Sequence, residues 1–258
     1  MAKTPEATDK NHIRFSFDEM LNELNCMSNV AGSFLRRNPI PQLADELRHI
    51  RDSNKTGTQC WRIKQSEPLV TEVCPDGYEP GARKCKFKKV FGELTFVWQV
   101  KVELLGTPKK RKTPKHFHLD GLCSTKICLF EQGDPAPIRL AQWQFEVGDS
   151  SSPGCHFHCG ILQAEDEPPF PKGLSIPRLP SVLVTPMDGL EFLLSELLQN
   201  DWARHASDGR YDSIQWSKIQ RARLIKLMEW KIKKLRSSTT PAWINLKRAK
   251  PVEGDLFE

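Results

Sequence analysis

The N-terminal part of the chain has the hydrophobic periodicity of a helix. Ser16, with Glu19 three residues later, is a capping-box pattern that marks the start of a helix. Apolar residues follow at intervals of three and four: Met20, Leu24, Met27, Ala31 and Phe34. The dipeptide Asn38-Pro39 is expected to end this helix, because helical geometry is disfavoured for the residue before a proline. A second helix is expected next, with Leu43, Leu47 and Ile50 on its apolar side.

The central part of the chain alternates apolar and polar residues, which is typical of β-strands. The clearest strand covers 94–104. Weaker strands are expected at 60–64, 69–74, 115–119 and 126–131. Two further alternating segments, 141–147 and 155–162, are separated by a stretch rich in glycine, serine and proline, which predicts a hairpin.

Helices return after a proline-rich stretch that ends at Pro186. Thr185 precedes this proline, so the pair supplies an N-cap and a first-turn proline for a leucine-rich helix that ends near Trp202. A longer basic helix is expected over about 213–236. Its predicted buried stripe consists of Ile219, Ala222, Ile225, Met228, Ile232 and Leu235.

These elements predict an α+β protein with a central, mainly antiparallel, twisted sheet flanked by N-terminal and C-terminal helices. The chain divides into a helical segment 1–57, a β-sheet region 58–165, a proline-rich connection 166–186 and a basic helical region 187–258. The alternative that all four form one domain stays open. Because no apolar run approaches the ~20 residues of a membrane-spanning helix and residues 1–11 lack the apolar stretch of a signal peptide, we expect a cytoplasmic protein.

The formal net charge of +6 is concentrated in the runs 84–89, 109–115 and 218–236. Basic surfaces favour phosphate backbones or acidic protein partners, and a solvated face is the alternative for each run. The segment 108–112 resembles a nuclear-import signal, which would place the protein in the nucleus; a basic hairpin loop is the alternative. The residues expected to contact nucleic acid are Lys109, Lys110, Arg111, Lys112, Lys115, Arg221, Lys226 and Lys233.

The tripeptide His-Phe-His occurs twice, at 116–118 and 156–158, and contains four of the seven histidines. Successive side chains of a strand point to opposite faces of the sheet. Both imidazoles of each copy are therefore expected on one face, with the phenylalanine on the other. If the two copies are neighbours in one sheet, the four imidazoles converge.

The hairpin that contains the second copy has a register set by its apolar residues. The apolar faces of its two strands match when Phe145 lies opposite Phe157, which places Glu146 opposite His156 and a glutamine opposite His158. A slip of one residue would move the whole polar set into the core. The sequence therefore predicts a carboxylate within reach of an imidazole.

Three interpretations of these residues stay open: a solvent-facing strand without chemistry, an acid–base pair that cleaves RNA through its own 2′-hydroxyl, and a hydrolytic metal centre. The candidate catalytic residues are His156, His158, Glu146, His116 and His118. If a cofactor is present it is expected to be a divalent transition metal, with the ligands His116, His118, His156 and His158.

The leading functional hypothesis is a nucleic-acid-directed hydrolase, with RNA favoured over DNA. The sequence has no phosphate-binding glycine loop, no Gly-x-Ser-x-Gly and no His-Glu-x-x-His, which disfavours ATPases, serine hydrolases and zincins. The alternative is a non-catalytic adaptor that binds nucleic acid or an acidic protein partner through the basic loop and helix. The oligomeric state is not indicated by any pattern.

Overall fold

The computed structural model describes six parts of the chain: 13–53, 55–74, 89–103, 113–147, 155–160 and 179–248. Within them lie a large antiparallel sheet and five helices, so the predicted α+β fold is confirmed. In these parts no helix combines the length and the hydropathy that crossing a membrane requires. The basic segment 108–112 and most of the proline-rich connection lie outside the described residues.

The strands and helices follow the predicted order, with short elements added. The strands are β1 (Arg14–Ser16), β2 (Leu35–Arg37), β3 (Gln59–Ile63), β4 (Leu69–Thr71), β5 (Val90–Val102), β6 (His116–Glu131), β7 (Ile138–Val147), β8 (Cys155–Gly160) and β9 (Leu179–Pro180). The helices are α1 (Phe17–Ala31), α2 (Ile40–Asp52), α3 (Pro186–Ala206), α4 (Tyr211–Arg236) and α5 (Ala242–Arg248).

The sheet has the order β2-β4-β5-β6-β7-β8-β9, with β1 added to β6 and β3 to β5. All of these pairs are antiparallel. Strand β6 is continuous where the sequence predicted two separate strands. The pairing of β6 with β5 shifts register near Gly121. The φ angle of Gly121 is 114°, and a Cβ on this residue would be 2.1 Å from the Gln99 side chain. Glycine permits this conformation and this contact, so the strand continues through the bulge.

One face of the sheet, the inner face, packs against the helices and forms the core. On β5 the inner side chains Phe96, Trp98 and Val100 are buried. Helix α3 lies directly against this face at β7, because a Cβ on Gly189 would be 2.7 Å from the ring of Phe145. The opposite, outer face carries the polar side chains of the same strands.

Helix α1 begins as predicted, since the Ser16 side chain accepts a hydrogen bond from the backbone N–H of Glu19 at 3.4 Å. It ends at Ala31, earlier than predicted. A short 3-10 turn then leads into β2, which pairs with β4. The chain therefore leaves the helix and pairs as a strand before it reaches Pro39, the proline that was expected to end the helix.

The prediction for the buried stripe of α4 was wrong. The side chains of Ile225, Met228, Ile232 and Leu235 are 52%, 42%, 47% and 38% exposed. The buried residues of α4 are instead Ser213, Trp216, Arg223, Leu227 and Trp230. The helix has apolar residues on two opposite sides, and the side with the larger tryptophan rings faces the core, because those rings bury more apolar surface.

The buried Arg223 ties α4 to the helices beneath it. Its guanidinium pairs with the carboxylates of Glu23 on α1 and Asp188 on α3, the latter at 2.9 Å, and donates to the Thr185 hydroxyl at 2.6 Å. Asp188 also accepts hydrogen bonds from the backbone N–H groups of Val184 and Thr185, which completes a capping box at the start of α3. One cluster thus joins three helices on the inner side of the sheet.

Candidate metal centre

The hairpin formed by β7 and β8 has the predicted register. Phe145 lies opposite Phe157, and Glu146 lies opposite His156. His158 lies opposite the predicted glutamine, Gln144. The register prediction is confirmed.

This register separates the apolar and polar side chains of the hairpin. Phe145 is fully buried on the inner face, in contact with α3. Glu146, His156 and His158 lie on the outer face, on the side of the sheet opposite the helices. These three polar side chains are therefore held on two paired strands of a large sheet, which fixes their spacing.

The two imidazoles converge on one carboxylate oxygen. The Nε2 atom of His156 is 2.8 Å from Oε2 of Glu146, and the Nε2 atom of His158 is 3.7 Å from the same oxygen. The two rings stand edge to face with centroids 4.9 Å apart. One ligand atom from each of the three residues lies within 4.8 Å of the others, and no other group of this kind occurs among the described residues.

The environment keeps Glu146 ionised. The hydrogen bond with His156, and next the close approach of His158, hold the pKa of the Glu146 carboxyl well below its usual range, against the opposing effect of burial. The Gln144 side chain donates a further hydrogen bond to Oε1 at 2.6 Å. A carboxylate that is charged at neutral pH and oriented by a neighbouring amide is suited to bind a cation.

The three residues differ in their access to solvent. The side chain of His156 is only 3% exposed, while those of His158 and Glu146 are 16% and 15% exposed. The Nδ1 atom of His158 is buried and has no hydrogen-bond partner. One side of the cluster is therefore closed and the other is partly open.

The two histidine–carboxylate separations are close to those around a divalent transition-metal ion. Two ligands about 2.0–2.1 Å from a tetrahedral ion are about 3.3 Å apart, and the distances of 2.8 and 3.7 Å lie on either side of that separation. Two imidazole nitrogens and one carboxylate oxygen suit zinc, iron or manganese rather than calcium or magnesium. Three protein ligands leave a coordination position for water or substrate, which is the arrangement of catalytic zinc sites.

The first His-Phe-His copy does not join this cluster, so the expected convergence of four imidazoles is not found. His116 lies at the start of β6, with Nδ1 2.8 Å from Arg14 and 3.7 Å from Glu103. His118 lies opposite Lys101 of β5. Only the second half of β6, from residue 124 onward, pairs with β7. At about 3.3 Å per residue, His118 is roughly 20 Å along the strand from the row that contains Glu146.

Those of the basic residues expected to hold nucleic acid that the structure describes lie away from the cluster. Lys109, Lys110, Arg111 and Lys112 lie outside the described residues, and Lys115 is exposed immediately before β6. Arg221, Lys226 and Lys233 are on α4, which packs against α1 and α3 on the inner side of the sheet. The sheet therefore separates this helix from Glu146 and its two histidines.

A cation that the sequence analysis did not select lies nearer the cluster. Lys126 of β6 is opposite Gln144, which is in turn opposite His158, so all three share one row of the outer face. Neighbouring strands are about 4.8 Å apart, which puts the Lys126 backbone roughly 10 Å from that of His158. The alternation of β6 indicated the face of Lys126, but the pairing of β6 with β7 was needed to place it beside the cluster.

Comparisons of the chain with protein-family models, with curated proteins and with solved structures found no match. The function is therefore inferred from the chemistry of the cluster itself.

Proposed function

We propose that this protein is a metal-dependent hydrolase of nucleic acid, with RNA as the favoured substrate, and that Glu146, His156 and His158 bind its catalytic ion. The observation that supports this most directly is the convergence of two imidazole nitrogens on one carboxylate oxygen, at 2.8 and 3.7 Å. The proposed ion is a divalent transition metal.

The geometry favours a metal centre over a pair of histidines that act alone. Metal-free cleavage of RNA needs a base on one side of the phosphate and an acid on the other. The rings of His156 and His158 instead point to the same oxygen of Glu146, so no phosphate fits between them. Atoms that converge on one point suit a shared ion.

A bound ion would polarise a phosphate oxygen and lower the pKa of a bound water to about 7. In this arrangement His156 anchors the closed side of the site, and His158 lies on the more accessible side. Gln144 orients Glu146 through its 2.6 Å hydrogen bond. Each of these groups is held on a strand, which limits its movement during a reaction.

The charges of the outer face support an anionic substrate. Lys126 lies in the same row as His158, and Arg62 of β3 lies in the row that contains Glu146, on the same face. A nucleic-acid strand that crosses the sheet from β8 toward β3 would meet both cations. The formal net charge of +6 favours the association of the whole chain with a polyanion.

The proposal is tested by incubating the purified protein with an unstructured RNA and its DNA counterpart, in the presence of zinc, manganese or iron(II) ions. We expect cleavage with at least one of these ions, abolished by a chelator and by either His158→Ala or Glu146→Gln. His118→Ala is the matched control, since it removes an imidazole that is roughly 20 Å away on the same face.

Lys126→Ala separates substrate binding from the reaction. We expect this variant to bind metal as the wild type does and to cleave with a raised KM, because only the contact with phosphate is lost. Cleavage that survives His158→Ala, or that His118→Ala removes equally, would contradict the proposed centre.

A further inference from the structure

The outward side of α4 carries a continuous row of large apolar side chains. Ile225, Met228, Ile232 and Leu235 are between 38% and 52% exposed. At 1.5 Å per residue the row is about 15 Å long. It lies opposite Leu227 and Trp230, which face the core. We call these four exposed residues the apolar row.

The apolar row has the spacing of a helix–helix interface. Its members are separated by three, four and three residues, which is the a/d pattern of a seam between two helices. Single exposed apolar residues are ordinary on protein surfaces, whereas a contiguous row rimmed by charges is typical of an interaction site. Helix α5, which contacts the C-terminal end of α4, adds exposed Trp243 and Ile244 nearby.

The charges beside the apolar row indicate the kind of partner. Helix α4 has eight basic and two acidic residues, and one of the basic residues, Arg223, is buried and paired with Glu23 and Asp188. Of the charged residues next to the row, the basic Arg221 and Arg236 and the acidic Glu229 are exposed. The α4 helix of a second copy would bring the same positive charges face to face, which disfavours self-association. A nucleic-acid backbone would satisfy the charges and leave the apolar row in water.

We propose that the apolar row is the docking site for an acidic amphipathic helix of a partner protein. Such a helix buries its own apolar stripe against the row and places its carboxylates beside the basic residues of α4. The site is independent of the candidate metal centre, because the sheet lies between α4 and the outer face.

The test uses the full chain and two synthetic peptides of about 22 residues, each with leucine at every a and d position of a heptad repeat. One peptide has glutamate at the e and g positions and the other has lysine there. Binding is measured by fluorescence anisotropy at low and at high salt. We expect the acidic peptide to bind, the basic peptide to bind at least about tenfold more weakly, and salt to reduce the difference.

Two variants test the apolar row itself. The double variant Ile225→Ser with Ile232→Ser is expected to weaken the binding of the acidic peptide by about tenfold or more, because two of the four apolar contacts of the row are lost. It should unfold at the wild-type temperature, since both side chains are exposed. Tyr211→Ser is the matched control: its side chain is 73% exposed at the far end of the same helix, and its loss should leave binding unchanged.

An occupant of the apolar row other than an acidic helix would give different results in these binding assays. Equal binding of both peptides, or binding that the double variant retains, would overturn the proposal. A dimer in sedimentation equilibrium that the double variant abolishes would assign the row to a second copy. Binding to vesicles of phosphatidylserine and phosphatidylcholine that exceeds binding of the acidic peptide, and that the same variant removes, would assign it to a membrane surface.

Discussion

Replacing Arg223 with methionine removes the cation from the buried cluster that joins α1, α3 and α4. Burial disfavours the charged guanidinium, but the carboxylates of Asp188 and Glu23 outweigh this effect and raise the pKa of Arg223. Methionine fills a similar volume, so the variant mainly tests the charge. It leaves Glu23 and Asp188 buried without a positive partner.

Breaking a buried ion pair from one side costs about 3–5 kcal/mol. For a chain of this size, about 1 kcal/mol corresponds to roughly 2–4 °C in the unfolding temperature. Arg223→Met should therefore lower Tm by roughly 6–20 °C. Typical proteins have only about 5–15 kcal/mol of total stability, so the change is large enough to measure by urea unfolding followed by circular dichroism.

The matched control is the double variant Arg223→Met with Glu23→Leu. Removing Glu23, one of the two carboxylates that lose their cation, should restore part of the loss, because apolar residues of similar volume are often as stable as a buried ion pair. Asp188 retains its hydrogen bonds from the backbone at the start of α3. The role of the cluster in joining the three helices would be contradicted if the free energy of unfolding of Arg223→Met were within about 1 kcal/mol of the wild-type value. It would also be contradicted if the double variant were less stable than the single variant.

Three further predictions follow from other contacts. At pH 7, Glu146→Gln should be less stable than the wild type by about 1.5–3 kcal/mol, the worth of a hydrogen bond to a charged group. Because the pKa of Glu146 is lowered in the folded protein, this difference should persist above about pH 4 and shrink at lower pH, as measured by urea unfolding. Gly189→Ala should cost about 1–3 kcal/mol, since its Cβ would be 2.7 Å from Phe145; an unchanged Tm would contradict the close packing. Burial raises the pKa of Cys123 to about 12, so a thiol reagent at pH 8 should label exposed Cys60 first and reach Cys123 only on unfolding, which peptide mass spectrometry would detect.

The register of the central hairpin was predictable because each of its strands alternates without interruption. Phe145 and Phe157 have to face the core, and the period of two then fixes Glu146 and His156 on the other side. A local pattern is sufficient here because the two strands are consecutive in the chain. The nearest polar contacts of the candidate metal centre follow from this single constraint.

The position of the first His-Phe-His copy depends on contacts that the sequence does not display. The face of its phenylalanine was predicted correctly, since Phe117 is buried. Its distance from the second copy depends on which part of β6 pairs with β7, and β6 is longer than β7. Alternation fixes the face of a side chain but not its position along a neighbouring strand.

Helix α4 shows a different limit of hydrophobic periodicity. Both of its sides satisfy the spacing of a buried stripe, and the pattern alone does not decide between them. The choice is made by tertiary contacts of the other side, where Trp216 donates to Glu191 and Arg223 pairs with Glu23. A stripe can therefore match the helical period and still remain exposed, as Ile225, Met228, Ile232 and Leu235 do.

The central claim, that Glu146, His156 and His158 form a site for one transition-metal ion, is tested most directly by equilibrium dialysis with quantification of bound zinc or manganese. We expect one ion per chain in the wild type and in His118→Ala, and a loss of at least about tenfold in affinity in His158→Ala, since one of three protein ligands is removed. No ion bound by the wild type, or equal binding by His158→Ala, would contradict the claim.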